Sequence, residues 1–304
     1  MRYYASMQSL IGNTPIVKLN NLGLPDGVNL FAKLELMNPG GSVKDRTGKY
    51  MVEDAERRGL LKEGGTIIEP TAGNTGLGIA FAAIGKGYRV IFCVPEKFSH
   101  EKLTLMRALG AEIIRTSAAE GMLGAERKAK EVQKEIPGSV ILGQFHNPAN
   151  PLAHYETTGP EIYRDLDGKI DAFIMGAGTG GTYSGTMRYL KERDKKIRGI
   201  LADPIGSTIG GGEHAPYEIE GIGNDFIADT MDISLVDEVI KVSDNEAFTA
   251  SRDLARLEGI FAGSSSGAAL AAARDYIKRG ARGNIVMLFP DRGDRYISKH
   301  LYEE

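Results

Sequence analysis

Short β-branched runs alternate with segments of helical period along the 304-residue chain, and this alternation constrains the fold more than any other feature. Each apolar run is too short to be a helix, and most are followed by a stretch long enough to cross back over a sheet. The pattern is interrupted once, at the proline-containing segment 148–151, and then resumes. The sequence therefore predicts an α/β protein with two parallel sheets.

The individual elements follow from the same pattern. Before the interruption, the predicted strands are 29–35, 66–69, 89–94, 112–115 and 139–142, and the predicted helices are 44–59, 75–86, 100–109 and 121–135. After it, the predicted strands are 172–175, 199–202, 238–242 and 284–289, and the predicted helices are 152–165, 181–193, 244–258 and 266–279.

Charge and composition favour small-molecule chemistry. A formal net charge of −3 does not favour binding to nucleic acid or to an anionic membrane, both of which attract positively charged proteins. No apolar run approaches the ~20 residues of a membrane-spanning helix, and no signal-peptide pattern is present, so we expect a cytoplasmic protein. The single cysteine, Cys93, lies in an apolar run and is expected to be a buried thiol. The five histidines show no metal-ligand spacing, so no metal site is predicted.

The segment 38–47 places one lysine, Lys44, at the start of a predicted helix after a glycine-rich turn. An amine held at the positive end of a helix and away from bulk water is a usable nucleophile, and it can form a Schiff base with an aldehyde cofactor. From these ten residues alone, an ordinary solvated first turn explains the pattern equally well.

Three polar loops lead into predicted helices, and the first two directly follow predicted strands, where open α/β sheets bind ligands. The loop 69–76 offers hydroxyls, an amide and helix N–H groups to a carboxylate, although an N-cap and turn would look the same. The glycine-rich loop 176–182 favours an anion such as phosphate over a mere tight turn. For the serine run within 263–267, simple helix capping is the stronger interpretation when the loop is taken alone.

The glycine loop also satisfies a dinucleotide fingerprint through Gly176, Gly178 and Gly181, with Asp203 at the end of the next strand as a ribose-binding acid. A nicotinamide-dependent dehydrogenase is therefore an alternative interpretation of this loop. Against it, the fingerprint usually accompanies the first strand of a cofactor domain, whereas here a complete α/β lobe precedes it.

Five motifs taken together, at 41–46, 70–76, 144–145, 178–182 and 263–267, resemble the pyridoxal-phosphate-dependent β-replacement enzymes, namely the cysteine synthases (O-acetylserine sulfhydrylases) and cystathionine β-synthases. The resemblance covers nearly the whole chain, and the motifs occur in the family's order. It implies the tryptophan-synthase-β-like fold (fold type II). An N-terminal lobe at 36–147 would carry a mobile substrate-binding part, and residues 1–35 plus 148–304 would hold the cofactor phosphate.

The resemblance also implies a set of site residues. Lys44 would bind the cofactor and act as the catalytic base, Asn74 would bond the ring hydroxyl oxygen, and Ser265 would face the pyridine nitrogen. The phosphate would be held by Gly178, Thr179, Gly180, Gly181 and Thr182. The substrate would be bound by Thr71, Ala72, Gly73, Thr75, Gln144 and Gly221, with Ala72 standing where serine is common.

The reaction implied is replacement of the β-substituent of O-acetyl-L-serine, or of L-serine, by a thiol through an α-aminoacrylate. Segments such as 217–226, with Glu220, look like cystathionine β-synthases, whereas 147–151 and 158–162 look like sulfhydrylases. We expect homocysteine as the acceptor, with its ammonium group near Glu213, Glu218 and Glu220, and sulfide as the alternative. The resemblance further implies a homodimer without haem or regulatory domains, and serine acetyltransferase as a partner.

Overall fold

The computed structural model describes residues 1, 3–71, 73–96 and 100–303. Its strands are β1 (Ile16–Leu19), β2 (Val28–Leu34), β3 (Thr66–Pro70), β4 (Arg89–Pro95), β5 (Glu112–Thr116), β6 (Val140–Ile141), β7 (Ala172–Met175), β8 (Arg198–Pro204), β9 (Glu238–Val242) and β10 (Gly283–Phe289). Its α-helices are α1 (Lys44–Arg57), α2 (Asn74–Ala83), α3 (His100–Ala108), α4 (Gly121–Glu135), α5 (Ala149–Ala153), α6 (Gly159–Asp165), α7 (Gly181–Arg193), α8 (Asp244–Glu258) and α9 (Ser264–Lys278).

Two compact units make up the chain. The first unit comprises Met1–Ile11 and Lys44–Asn150, and the second comprises Gly12–Val43 and Pro151–Glu304. The predicted α/β class with two parallel-strand sheets is confirmed, since each unit contains one sheet. Within the described residues, every helix is too short or too polar to cross a bilayer.

The sheet of the first unit has the order β5-β4-β3-β6, and all its pairings are parallel. Every residue of β3 is buried, as expected for a parallel strand covered on both faces. On one side, Ile68 packs in a cluster with Ala125 and Ala129 of α4. A separate, larger cluster joins Ile67 to apolar residues of α1 and α2. These two layers fix β3, and the loop after it, in the middle of the unit.

The sheet of the second unit has the order β1-β2-β10-β7-β8-β9, and it is parallel except that β1 runs antiparallel to β2. The central strand β10 reads Gly-Asn-Ile-Val-Met-Leu-Phe, and its last five residues are buried. Helix α9 packs on this sheet through buried small residues, Ala268, Ala269, Ala272 and Ala273, which let the helix backbone approach the strands closely.

Local sequence signals set several helix bounds. Helix α8 begins with a capping box, in which the Ser243 hydroxyl accepts from the Glu246 N–H and the Glu246 carboxylate accepts from the Ser243 N–H. It ends at Gly259, whose φ of 69° only glycine adopts readily. Both bounds of α8 match the sequence prediction, as do those of α7, β7 and β9.

Two parts of the second unit differ from the prediction. Strand β1 was not predicted, because only four residues form it and the two middle ones are exposed, as is common at a sheet edge. The helix predicted at 152–165 is divided into α5, a π-helical turn at His154–Thr158, and α6. A Cβ atom on Gly159 would lie 2.7 Å from Cβ of Tyr189, so the helix resumes at a close approach to α7.

Candidate active site

Lys44 is the first residue of α1, as predicted, and its side chain is half-buried. Helix α2 approaches it without an intervening side chain. A Cβ atom added to Gly78 would lie 2.1 Å from the Lys44 carbonyl oxygen, and one added to Gly48 would lie 2.3 Å from the Gly78 carbonyl carbon. The two helix backbones therefore touch. This contact fixes Lys44 relative to Asn74, which starts α2 one turn before Gly78.

The start of α2 is built to receive a negative charge. The residue before it, Gly73, provides no side-chain cap, and the first turn contains no acidic residue. Thr71 and Thr75 flank this turn and are buried, with 2% and 4% of their surface exposed. Backbone N–H groups and the helix dipole at such a start favour a carboxylate or a phosphate. Ala72, one of the predicted substrate-binding residues, lies outside the described residues.

Gln144 is brought to this helix start from 69 positions further along the chain. The Thr75 hydroxyl donates a 2.6 Å hydrogen bond to Gln144 Oε1. Among the described residues, none accepts a hydrogen bond from Gln144 Nε2. Gln144 is only 7% exposed, and its hydrogen bond to Thr75 places its side-chain amide next to the N-terminus of α2.

A fully buried glutamate that the sequence argument did not single out, Glu69, supports Gln144. Its two carboxylate oxygens accept from the N–H groups of Gly143 at 2.8 Å and Gln144 at 3.0 Å. Burial raises the pKa of Glu69 from 4.5 to about 7, against the opposing effect of its backbone hydrogen bonds. The only sequence signal was an acidic residue inside a run that otherwise reads as a buried strand.

In the second unit, the glycine loop after β7 leads directly into α7. Gly180 has φ of 80°, and a Cβ atom there would lie 2.3 Å from Cβ of Met231, so both conformation and space require glycine. The N-cap residue Gly180 has no side chain to cap α7, and the first turn carries no acid; the Gly181 N–H makes only a long hydrogen bond, 3.5 Å, to the Thr179 hydroxyl. Thr179 and Thr182 are buried beside it, and the Thr182 hydroxyl lies 3.2 Å from His154 Nε2.

Gly178 and Gly221 lie against each other in the second unit. A Cβ atom on Gly178 would come within 2.7 Å of the Gly221 carbonyl oxygen, and the nearby Gly223 N–H donates to the Ala177 carbonyl at 2.7 Å. The predicted substrate residue Gly221 is thus brought to the predicted phosphate loop. Ser265 lies in the first turn of α9, is 4% exposed, and has a hydroxyl without a hydrogen-bond partner among the described residues.

Asp203 and Cys93, considered above as a ribose-binding acid and a buried thiol, both have structural roles. The Asp203 carboxylate accepts from Lys241 Nζ at 2.6 Å and from the Gly210 N–H at 3.0 Å, so it holds its own loop. Cys93 is buried in β4, as predicted, and burial raises the pKa of its thiol to about 11. A thiol with that pKa is protonated at neutral pH and is not a nucleophile.

Comparison with known proteins adds independent information. A family model described as pyridoxal-phosphate-dependent enzyme matches residues 7–291. The O-acetylserine-dependent cystathionine β-synthase of Bacillus subtilis is 49% identical over 304 residues, covering 100% of this chain and 99% of its relative. A cysteine synthase of Helicobacter pylori is 47% identical over 305 residues, covering 99% and 100%.

A solved structure agrees with these sequence relatives. The crystal structure of O-acetylserine-dependent cystathionine β-synthase from Helicobacter pylori superposes with a TM-score of 0.94 at 46% identity, covering 99% of this chain and 100% of that one. The family match supports the pyridoxal-phosphate interpretation over the nicotinamide alternative, and the resemblance expected from the five motifs is confirmed. The chain belongs to the family of pyridoxal-phosphate-dependent enzymes.

Proposed function

We propose that this protein catalyses pyridoxal-phosphate-dependent β-replacement, exchanging the acetate of O-acetyl-L-serine for the thiol of homocysteine to give cystathionine. Sulfide, which would give cysteine, is the second candidate acceptor. The observation that carries the proposal is the backbone contact at Gly78, which fixes Lys44 relative to Asn74 at the start of α2. The relatives named above, one a cystathionine β-synthase and one a cysteine synthase, support the two acceptors.

The residues present fit the cofactor. The buried start of α7, where the N-cap residue is glycine and the first turn carries no acid, suits a phosphate dianion held by Gly178 to Thr182. Ser265, which is 4% exposed and lies in the first turn of α9, offers a hydroxyl that suits a ring nitrogen. Asn74 would bond the ring hydroxyl oxygen. When bound, the cofactor supplies an electron sink for the α-carbon of the amino acid.

The chain's own groups would then perform three tasks. Lys44 Nζ would hold the cofactor, and on release it would take the α-proton of the substrate. The start of α2, with Thr71, Gly73, Thr75 and Gln144, would bind the substrate carboxylate. The family resemblance adds Gly221 to the substrate-binding residues. The C–O bond to acetate would break, the thiol would lose its proton to solvent as the C–S bond forms, and Lys44 would return the α-proton to the α-carbon.

Lys44→Ala tests the cofactor assignment. Purified protein would be treated with pyridoxal phosphate and borohydride, and its peptides analysed by mass spectrometry. We expect a cofactor adduct on the peptide containing Lys44 in the wild type and none in the variant, with turnover reduced by at least about 1,000-fold. An adduct on another lysine of the wild type would contradict the assignment.

The acceptor is tested by product identification. Wild-type enzyme with O-acetylserine would be given homocysteine or sulfide in parallel, and the products quantified. Glu220 provides the sharper test, because its side chain is half-buried, whereas Glu213 and Glu218 are exposed. Glu220→Gln should raise KM for homocysteine several-fold and leave KM for sulfide unchanged, since only homocysteine carries an ammonium group. An equal effect on both acceptors would argue against an acidic homocysteine site.

Location and assembly belong to the same proposal. We place the reaction in the cytoplasm, where a lone buried thiol such as Cys93 stays reduced. A homodimer, and binding of serine acetyltransferase, follow from the family resemblance. Analytical ultracentrifugation of the protein, alone and mixed with serine acetyltransferase, measures both, and a monomer at micromolar concentration would refute the dimer.

A further inference from the structure

Glu69 lies where two parallel strands end at the same edge of the first unit's sheet. Ile68 of β3 is paired with Ile141 at the end of β6, so Glu69 is level with the residue that follows β6. The chain after β6 turns back at Gly143, whose φ is 70°, and points two consecutive N–H groups at the carboxylate. A fully buried acid thus occupies the junction between two loops that are 74 residues apart.

We propose that Glu69 is a positioning residue that holds the Gly143–Gln144 backbone so that the Gln144 side chain reaches Thr75 and presents its amide to the substrate carboxylate. This inference rests on the proposed function. Glu69 has no substrate contact in this scheme, and it acts only through Gln144. The chain of contacts runs from the Glu69 carboxylate to the Gln144 N–H, and from Gln144 Oε1 to the Thr75 hydroxyl.

The hydrogen-bond pattern shows which form of Glu69 holds the loop. Each of the two oxygens accepts one backbone N–H, an arrangement that favours the ionised carboxylate because both of its oxygens are strong acceptors. A protonated acid would turn one oxygen into an O–H donor and weaken the hydrogen bond from the backbone N–H that faces that oxygen. An orphaned N–H at a buried position is costly, so the loop would shift and take the Gln144 side chain with it.

Few charged groups on the elements packed against β3 influence this carboxylate. On α4, the negative charge of Glu126 opposes its ionisation, with a smaller effect on the pKa than burial and the backbone hydrogen bonds have. Strand β4 contributes the neutral thiol of Cys93 and carries Arg89 at the far end, opposite Thr66. Strand β6 consists of Val140 and Ile141 and has no titratable side chain. The hydrogen bonds that hold the backbone of Gly143 and Gln144 therefore depend mainly on the ionisation of Glu69 itself.

Glu69→Gln tests the hydrogen bonds of the Glu69 carboxylate without changing the size of the side chain. Glutamine keeps the volume but replaces one accepting oxygen by an NH₂ group, which cannot accept from Gly143 or Gln144. We expect KM for O-acetylserine to rise about tenfold and kcat to stay within about twofold, because a binding contact is lost and Lys44 is untouched. Amide hydrogen exchange at residues 143 and 144 should become faster. Glu246→Gln, which alters a carboxylate that accepts a backbone N–H at the distant start of α8, is the matched control. It should change neither KM for O-acetylserine nor hydrogen exchange at residues 143 and 144.

A double-mutant cycle tests whether Glu69 acts through Gln144. In a Gln144→Ala background, Glu69→Gln should change KM by less than about twofold, because the side chain being positioned is already absent. A full tenfold effect in that background would overturn the inference, as would unchanged exchange at residues 143 and 144. The exchange measurement needs neither substrate nor turnover, so it tests the hold on the loop even if wild-type enzyme fails to use O-acetylserine, a failure that would refute only the proposed function.

Discussion

The two units hold their candidate binding loops by different means. In the first unit, Glu69 and Thr75 hold Gln144 through hydrogen bonds of side chains that come from distant parts of the chain. In the second unit, the loop before α7 is held by direct packing of glycine backbone, with Gly178 against Gly221 and Gly180 against Met231. One loop depends on a titratable group, whereas the other depends on the absence of side chains. Binding at the first should respond to pH, and binding at the second to added volume.

The largest effect is expected from adding volume at the second loop. Gly180→Ala would force a non-glycine residue to φ of 80° and bring its Cβ to 2.3 Å from Cβ of Met231. We expect the free energy of unfolding, measured in urea, to fall by about 2–4 kcal/mol at every pH. Gly211→Ala is the control, since Gly211 has φ of 84° but nothing within 4 Å of an added Cβ. Equal losses for both variants would show that packing contributes little here.

The next prediction concerns Glu69 and pH. Because burial raises its pKa from 4.5 to about 7, the folded state binds a proton that the unfolded state has released between these values. Stability therefore falls as pH rises from 4.5 to above 7, by on the order of 3 kcal/mol. Glu69→Gln lacks this loss, so the variant should gain stability relative to wild type as pH rises, even while its substrate binding weakens. A wild-type to variant difference that is constant from pH 4.5 to 8 would refute the ionisation.

Removing the side-chain bond to Gln144 should have a smaller effect. Thr75→Val keeps the shape at the start of α2 and deletes the 2.6 Å hydrogen bond to Gln144 Oε1. Steady-state kinetics should show KM for O-acetylserine raised about threefold to tenfold, with little change in the affinity for the free cofactor. Thr186→Val, at a buried hydroxyl without a partner in the described part of the chain, is the control and should leave KM unchanged.

The smallest effect is expected at α4. KM for O-acetylserine should change with pH as Glu69 ionises. Glu126→Gln removes the charge that opposes this ionisation, so the midpoint of that change in KM should move to lower pH by a few tenths of a unit. Lys130→Gln, at an exposed position on the same helix, is the comparison and should leave the midpoint in place. A shift to higher pH for Glu126→Gln would mean that the midpoint belongs to another group.

Much of the fold was predictable because its signals are local. The capping box at Ser243 and Glu246 and the glycine at 259 define α8 within a few residues of chain, and the glycine loop at 176–182 defines the start of α7. The approach of α2 to Lys44 was not predictable, because Gly48 and Gly78 look like ordinary helix glycines until α1 and α2 are packed together. Glu69 was missed for the same reason, since its partners lie 74 and 75 residues away.

The contact between Gly48 and Gly78 also bears on how this sequence can change. A side chain at position 48 would meet the backbone at 78, and one at position 78 would meet the backbone of Lys44 and Asp45. Neither clash is relieved by shortening a neighbouring side chain, because the obstructing atoms belong to the main chain. Compensation would require the helices to move apart, which would move the cofactor-binding lysine that we propose. Single substitutions at Gly48 or Gly78 are therefore expected to disrupt the packing of α1 against α2. A mutant library designed to change the substrate specificity of this enzyme should keep both glycines and vary the residues around them.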